Sequence, residues 1–157
     1  MDWFVKAFLK ASLAWLAAGV TLGVAMAAHP MWTLYRLVHI HMLLLGFVTM
    51  MIFGVAYHVI PRFTGHALHS RRAAAWHWWA SNVGLALMAA GFAVRAGDAR
   101  LGTPVLALGG TLSAFGAYTF VYLMWRTIDG SREVRAAEAA RAAAQAAARG
   151  SRLPVAS

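Results

Sequence analysis

Four apolar stretches dominate the chain and limit its possible folds more than any other feature of the sequence. They cover roughly residues 3–28, 35–60, 75–95 and 102–126. Each has about the twenty residues that a helix needs to cross a hydrocarbon core roughly 30 Å thick. A backbone in lipid must satisfy its own hydrogen bonds, so each stretch is expected to be a helix. The sequence therefore predicts an all-α membrane protein with four transmembrane helices.

A different composition begins after the last apolar stretch. Residues 129–157 are rich in alanine and arginine, and such a sequence favours a helix in water or at a membrane surface. We therefore expect two parts, a four-helix transmembrane domain over residues 1–128 and a cytoplasmic helical tail over residues 129–157. Proline and glycine mark the expected breaks, at Pro30, at Pro61 with Gly65, and at Gly97.

The overall charge agrees with a membrane protein. Charged residues make up 12% of the chain, against about 25% in a typical soluble domain. The net charge of +9 would suggest nucleic acid in a soluble protein, but here the basic residues flank apolar stretches or lie in the tail. That pattern is typical of loops facing an anionic leaflet. We therefore expect the lipid bilayer, and no nucleic acid, as a partner.

The basic residues also predict the orientation of the four helices. Only Arg36, Arg95 and Arg100 fall on one side of the membrane. The other eleven fall on the opposite side: Lys6, Lys10, Arg62, Arg71, Arg72, Arg126, Arg132, Arg135, Arg141, Arg149 and Arg152. Because positive loops stay inside, both termini are predicted in the cytoplasm of a bacterial-type inner (plasma) membrane.

The second apolar stretch carries a His-x-His pair, His39 and His41, near its outer end. A histidine in a membrane span is costly and usually has a partner, either a neighbouring helix or a ligand. Residues two apart on a helix are separated by roughly 200°, so both rings cannot bind one iron in the usual axial arrangement. Either one of them is a ligand, or the pair serves two hemes. The chain has no cysteine, so a heme would be held without covalent attachment.

Two neighbours of the pair suit a heme. Gly46 lies seven residues after His39, on nearly the same face, where a glycine lets a flat macrocycle approach the backbone. Arg36 lies one turn outward of His39 and is well placed to pair with heme propionates. Tyr57 falls on the same face at the cytoplasmic end.

The run YRLVHIHMLLLGFVTMMIFGVAYHVIPRF resembles helix II of the heme–copper oxidase superfamily, which contains cytochrome oxidases and nitric oxide reductases. The WHWWASNVGLALMAAGF stretch is similar more weakly. The resemblance implies that His39 is a ligand of a low-spin heme. The His-x-His also resembles a later helix of the family, where the two histidines bind the low-spin and the high-spin heme from opposite faces.

The chain departs from that family in size. Family members have about twelve spans in three arcs of four, and this chain has the four spans of one arc. It lacks the helices that carry the copper histidines, so oxygen reduction by a single chain is not expected. If three copies close into a ring, His39 of one subunit could meet His41 of the next across a shared heme. Cyclic closure avoids an open filament, so a homotrimer with one heme b per chain is the preferred assembly.

Other histidines gather at the cytoplasmic end. His58 ends the second helix, His77 begins the third, and His66 and His69 lie between them. They could bind a second heme, with His58 and His77 as its ligands, or a quinone head group or a metal ion. They could equally be ordinary interfacial histidines.

Three functions follow from these features. The leading hypothesis is a b-type cytochrome with bis-histidine, low-spin heme that passes or stores electrons. Quinol or another electron-transfer protein could be its partner, although no sequence feature identifies a quinone site. The second is an enzyme that reduces nitric oxide or oxygen, or a gas sensor, with an open heme position. The third is a structural or assembly subunit without heme.

Overall fold

The computed structural model describes residues 1–130 and 132–150, and within them the chain is helical and forms no strand. The predicted all-α class is thereby confirmed. The elements are α1 (Trp3–Ala28), a 3₁₀ segment (Pro30–Tyr35), α2 (Arg36–His41), a π-helical segment (Met42–Thr49), α3 (Met50–Thr64), α4 (Arg71–Arg95), α5 (Ala99–Ile128) and α6 (Arg132–Gly150). The four segments from Pro30 to Thr64 follow one another without a break. We call them together the composite helix.

Local sequence signals explain most of the helix ends. Pro30 opens the 3₁₀ segment, where its missing N–H costs nothing. Ser70 caps α4 by accepting a hydrogen bond from the Ala73 N–H, and Asp98 caps α5 in the same way. Gly65 ends α3 with a φ of +70°, a left-handed conformation that favours glycine. The expected break at Pro61 with Gly65 falls at the glycine, because α3 runs through the proline and ends at Thr64.

The π-helical segment was not foreseen from the sequence. It begins directly after His41, and its wider turn changes the rotation of everything that follows relative to the His-x-His pair. The Thr49 hydroxyl donates to the Leu44 carbonyl, five residues earlier, at 2.8 Å. Segments of this kind are rare and occur frequently at functional sites.

Glycines allow α4 and α5 to pack closely along their lengths. A Cβ on Gly91 would lie 2.5 Å from the Leu106 nitrogen, and one on Gly109 would lie 2.5 Å from the Met88 nitrogen. Small residues are the usual means by which membrane helices approach one another. The two helices therefore form a rigid hairpin.

The core extends from the end of the bundle where α1 begins to the middle of the helices. Phe4 and Phe8 of α1, Met50 of the composite helix, Leu85 of α4 and Leu123 of α5 are almost fully buried there. Toward the opposite end, where the His-x-His pair lies, α1 buries little beyond Gly19. The half that carries the pair therefore has the looser packing.

Three helices of the described part of the chain are long and apolar enough to cross a membrane: Trp3–Ala28, Pro30–Thr64 and Ala99–Ile128. The predicted fourth span, α4, has the length but carries more polar side chains. These are accommodated inside the bundle, since Asn82 accepts a hydrogen bond from Trp15 Nε1 at 3.2 Å and Ser81 is buried. A count of four spans stays a prediction.

The tail is helical over Arg132–Gly150, as the sequence predicts. Ser131 and residues 151–157, including Arg152 of the charge count, lie outside the described residues.

Gly109 and Gly110 provide a direct test of the α4–α5 contact. We expect Gly109→Ala to lower the stability of the protein by about 1–3 kcal/mol, because the new methyl group would meet backbone atoms of α4. Gly110→Ala is the matched control, since a Cβ at Gly110 meets nothing within 4 Å. Thermal unfolding in detergent compares the two variants. Equal midpoints would show that the glycine contact does not set the packing.

Candidate functional site

The imidazole of His39 lies between the composite helix and α1. Its Nδ1 bonds the Gly19 carbonyl at 2.8 Å. The ring also lies over Gly23, where an added Cβ would come within 2.8 Å of the His39 Cε1. Two glycines of α1 therefore position the ring: Gly19 accepts its hydrogen bond, and Gly23 leaves space for it because it has no side chain.

The imidazole of His41 takes a different direction. Its Nδ1 bonds the Leu37 carbonyl one turn earlier, at 2.8 Å. The ring packs against Phe92 of α4, with centroids 4.8 Å apart. One histidine of the pair thus contacts α1 and the other contacts α4, which is the opposed arrangement that helix geometry requires of residues two apart.

In both histidines the same ring nitrogen, Nδ1, is bonded to a backbone carbonyl. A backbone carbonyl can only accept a hydrogen bond, so the bonded Nδ1 of each ring must carry the proton. The lone pair is then on Nε2. Metal-binding histidines usually have this arrangement, with one nitrogen donating to a carbonyl or carboxylate and the other free for the metal. The donor set at the pair therefore fits a heme iron.

Arg36 and Gly46 have contrasting surroundings. Arg36 is exposed at the start of α2, and no carboxylate among the described residues pairs with it. Gly46 is buried, and a Cβ there would lie 2.6 Å from the Trp15 Cβ. The close approach that Gly46 permits in this structure is that of an indole from α1.

The structure gives His58 and His77 separate partners. His58 bonds Arg62, whose Nη1 donates to the His58 Nδ1 at 2.8 Å. His77 is completely buried, and its Nδ1 bonds the Tyr57 hydroxyl at 2.8 Å. Three further rings enclose His77, those of Phe8, Phe53 and Phe120. This enclosure leaves no room for a macrocycle at His77, so the donor set there does not fit a second heme.

His66 and His69 join the loop between α3 and α4 to the end of α5 by hydrogen bonds. His66 Nδ1 bonds the Thr127 carbonyl at 3.2 Å, and the backbone N–H of His69 donates to the Thr127 hydroxyl at 3.2 Å. Among the described residues no group of three or more His, Asp or Glu side chains could hold a metal ion. The structure therefore gives these two histidines a role in positioning the loop.

Residues 29–98 match the family described as cytochrome c and quinol oxidase polypeptide I. The matched segment is a little under half of the chain. It contains all of the composite helix and α4, and with them Arg36, His39 and His41. No curated protein matches the chain.

The match supports a relationship to the heme–copper oxidase superfamily. The family implies heme as a cofactor in general terms. Together with the three apolar helices, the match indicates a membrane-embedded protein.

The buried Tyr57–His77 pair allows a second test of the fold. Tyr57→Phe would remove the bond to Nδ1, and the other ring nitrogen, Nε2, already has no partner among the described residues. We expect a loss of about 1–3 kcal/mol, the cost of leaving a buried polar group unsatisfied. Tyr118→Phe, at a tyrosine that is 76% exposed, removes a hydroxyl without that cost. If the two variants unfold at the same midpoint, the Tyr57 hydroxyl does not have the stabilising role given to it here.

Proposed function

We propose that the protein is a membrane-embedded b-type cytochrome with bis-histidine, low-spin heme that passes or stores electrons. Its hemes are shared between the subunits of a homo-oligomer, for which a trimer is the preferred state. One observation carries the proposal. His39 and His41 face opposite helices, and each has its Nδ1 held by a backbone carbonyl at 2.8 Å.

The sharing of hemes follows from the opposed directions of the two rings. With one ring against α1 and the other against α4, a single chain cannot supply both axial ligands to one iron. Two chains can do so if His39 of one subunit and His41 of the next bind from opposite sides. This contact is head-to-tail, and such contacts stop growing only when they close into a ring.

The exposed apolar side chains around His41 favour a neighbouring subunit that covers this ring. Leu37, one turn before His41, is exposed, and so are Leu44 and Val48 in the π-helical segment after it, so the imidazole borders an apolar surface. An imidazole nitrogen facing hydrocarbon has no water to bond, which makes the site costly without a partner. A neighbouring subunit and its heme would satisfy this nitrogen.

The role of the protein side chains is to hold and orient the cofactor. Heme supplies the reversible one-electron chemistry when bound, and the protein tunes it through axial ligation and burial. The backbone bonds of His39 and His41 fix which nitrogen of each ring faces the ligand. Arg36, which pairs with no carboxylate among the described residues, would hold heme propionates by charge-assisted hydrogen bonds.

The assignment to a bacterial-type inner membrane, with both termini in the cytoplasm, belongs to the same proposal. It is supported by the excess of arginine and lysine on one side of the helices. The proposed redox partner is quinol or an electron-transfer protein.

Alanine variants of the pair test the ligand assignment. We expect His39→Ala or His41→Ala, each alone, to remove or convert most of the low-spin heme, because each iron loses one axial ligand. His29→Ala is the matched control, since His29 is exposed in the loop before the composite helix. Visible spectra of the membrane-extracted proteins measure the outcome. A wild-type low-spin spectrum from both variants of the pair would show that the assignment is wrong.

Carbon monoxide separates the cytochrome from a gas-reducing enzyme or sensor. A heme with two histidine ligands has no open position, so the spectrum of the reduced protein is expected to stay unchanged when carbon monoxide is added. A large spectral shift would reveal an open position and would contradict the bis-histidine proposal.

A further inference from the structure

A basic cavity of about 440 Å³ opens at the end of the bundle where α1 begins. It lies between the start of α1, the end of α3 and the loop that leads to α4. Four basic side chains line it, those of His58, Arg62, His66 and Arg71, together with one carboxylate, Asp2. The cavity is therefore suited to an anion.

Arg62 is the cation of this cavity that has no counter-ion among the described residues. Arg71 pairs with Asp2, and this is the ion pair that the described part of the chain contains. Arg62 instead donates from Nη1 to the His58 carbonyl at 2.6 Å and to the His58 Nδ1 at 2.8 Å. A guanidinium has five N–H donors in a fixed plane. One end of Arg62 is therefore anchored while its charge remains uncompensated.

The bond between Arg62 and His58 also determines what His58 can offer a ligand. Because Arg62 donates to the Nδ1, this nitrogen carries no proton, and the proton of the neutral ring is on Nε2. His58 is then a hydrogen-bond donor in the wall of the cavity. His66 stands in the same wall, fixed by its bond to the Thr127 carbonyl.

The surroundings of the cavity are typical of the level where a membrane changes from hydrocarbon to headgroups. It adjoins the ends of two helices that are apolar enough to span a bilayer. Trp3, Trp76 and Trp79 belong to the same end and are 55%, 70% and 54% exposed. Such tryptophans mark membrane interfaces. Phe63, next to Arg62 in the chain, is 87% exposed, as suits a ring that meets acyl chains.

We propose that this cavity binds the phosphate of an anionic phospholipid headgroup, with Arg62 and His58 as its principal donors. Arginine suits phosphate because its planar donors can bond two oxygens at once. Basic pockets between membrane helices are known to accept lipid phosphates. The site is independent of the proposed heme chemistry, because its residues are distinct from His39 and His41.

The test is lipid binding to the full chain in detergent, measured by native mass spectrometry. Phosphatidylglycerol and phosphatidylcholine with the same acyl chains are titrated into wild type and variants. We expect one phosphatidylglycerol per chain, bound more tightly than phosphatidylcholine. Arg62→Gln should weaken it about tenfold, which corresponds to about 1.4 kcal/mol. Arg72→Gln, an exposed neighbour that does not line the cavity, should weaken it less than about twofold.

Asp2→Asn guards against a result caused by misfolding. It removes the carboxylate of the cavity and releases Arg71, so phosphatidylglycerol should bind more tightly, which a misfolded protein would not show. Equal loss in Arg62→Gln and Arg72→Gln would indicate diffuse attraction to a basic surface and would overturn the proposal. So would equal affinity for the two lipids. Displacement of the lipid by millimolar inorganic phosphate would assign the cavity to a free ion instead.

Discussion

An imidazole inside a membrane-spanning helix has two nitrogens to satisfy and no water with which to do so. In His39 and in His41 a backbone carbonyl satisfies the first nitrogen, at 2.8 Å in each case. The second nitrogen of each ring, with its lone pair, is then the one available to a ligand. Since both lie in α2, two residues apart, regular helix geometry directs them to different neighbours. The proposed cofactor, its ligand set and the assembly all depend on this one constraint.

The rest of the bundle supports the pair from a distance. Close glycine contacts join α4 and α5 into a hairpin that carries Phe92 to His41. The aromatic core around His77 fixes α1 against the composite helix at the opposite end. Gly46 allows Trp15 to pack against the composite helix. The Trp15 indole donates a hydrogen bond to Asn82, which joins α1 to α4. The half of the molecule that holds the pair has fewer buried side chains.

The sequence predicted the helices well because their signal is physical and local. Apolar stretches separated by Pro30, Gly65 and Gly97 are expected to be helical, because a backbone in lipid must satisfy its own hydrogen bonds. The opposed directions of His39 and His41 followed from helix geometry alone. Other features had no local signal. No sequence motif marks the π-helical turn after His41, and the burial of His77 among phenylalanines depends on contacts between residues distant in sequence. Gly46 was interpreted as a surface for a macrocycle, and the partner seen in the structure, Trp15, could not be inferred from a single helix.

We infer that each chain presents two ligands to two different hemes. The most direct test is to measure the mass of the purified complex together with its ratio of heme to protein. We expect a ring of three chains with one heme per chain, and loss of heme when the ring is dissociated into monomers. A monomer that retains bis-histidine heme would contradict it, because the two rings of one chain would then have to reach the same iron.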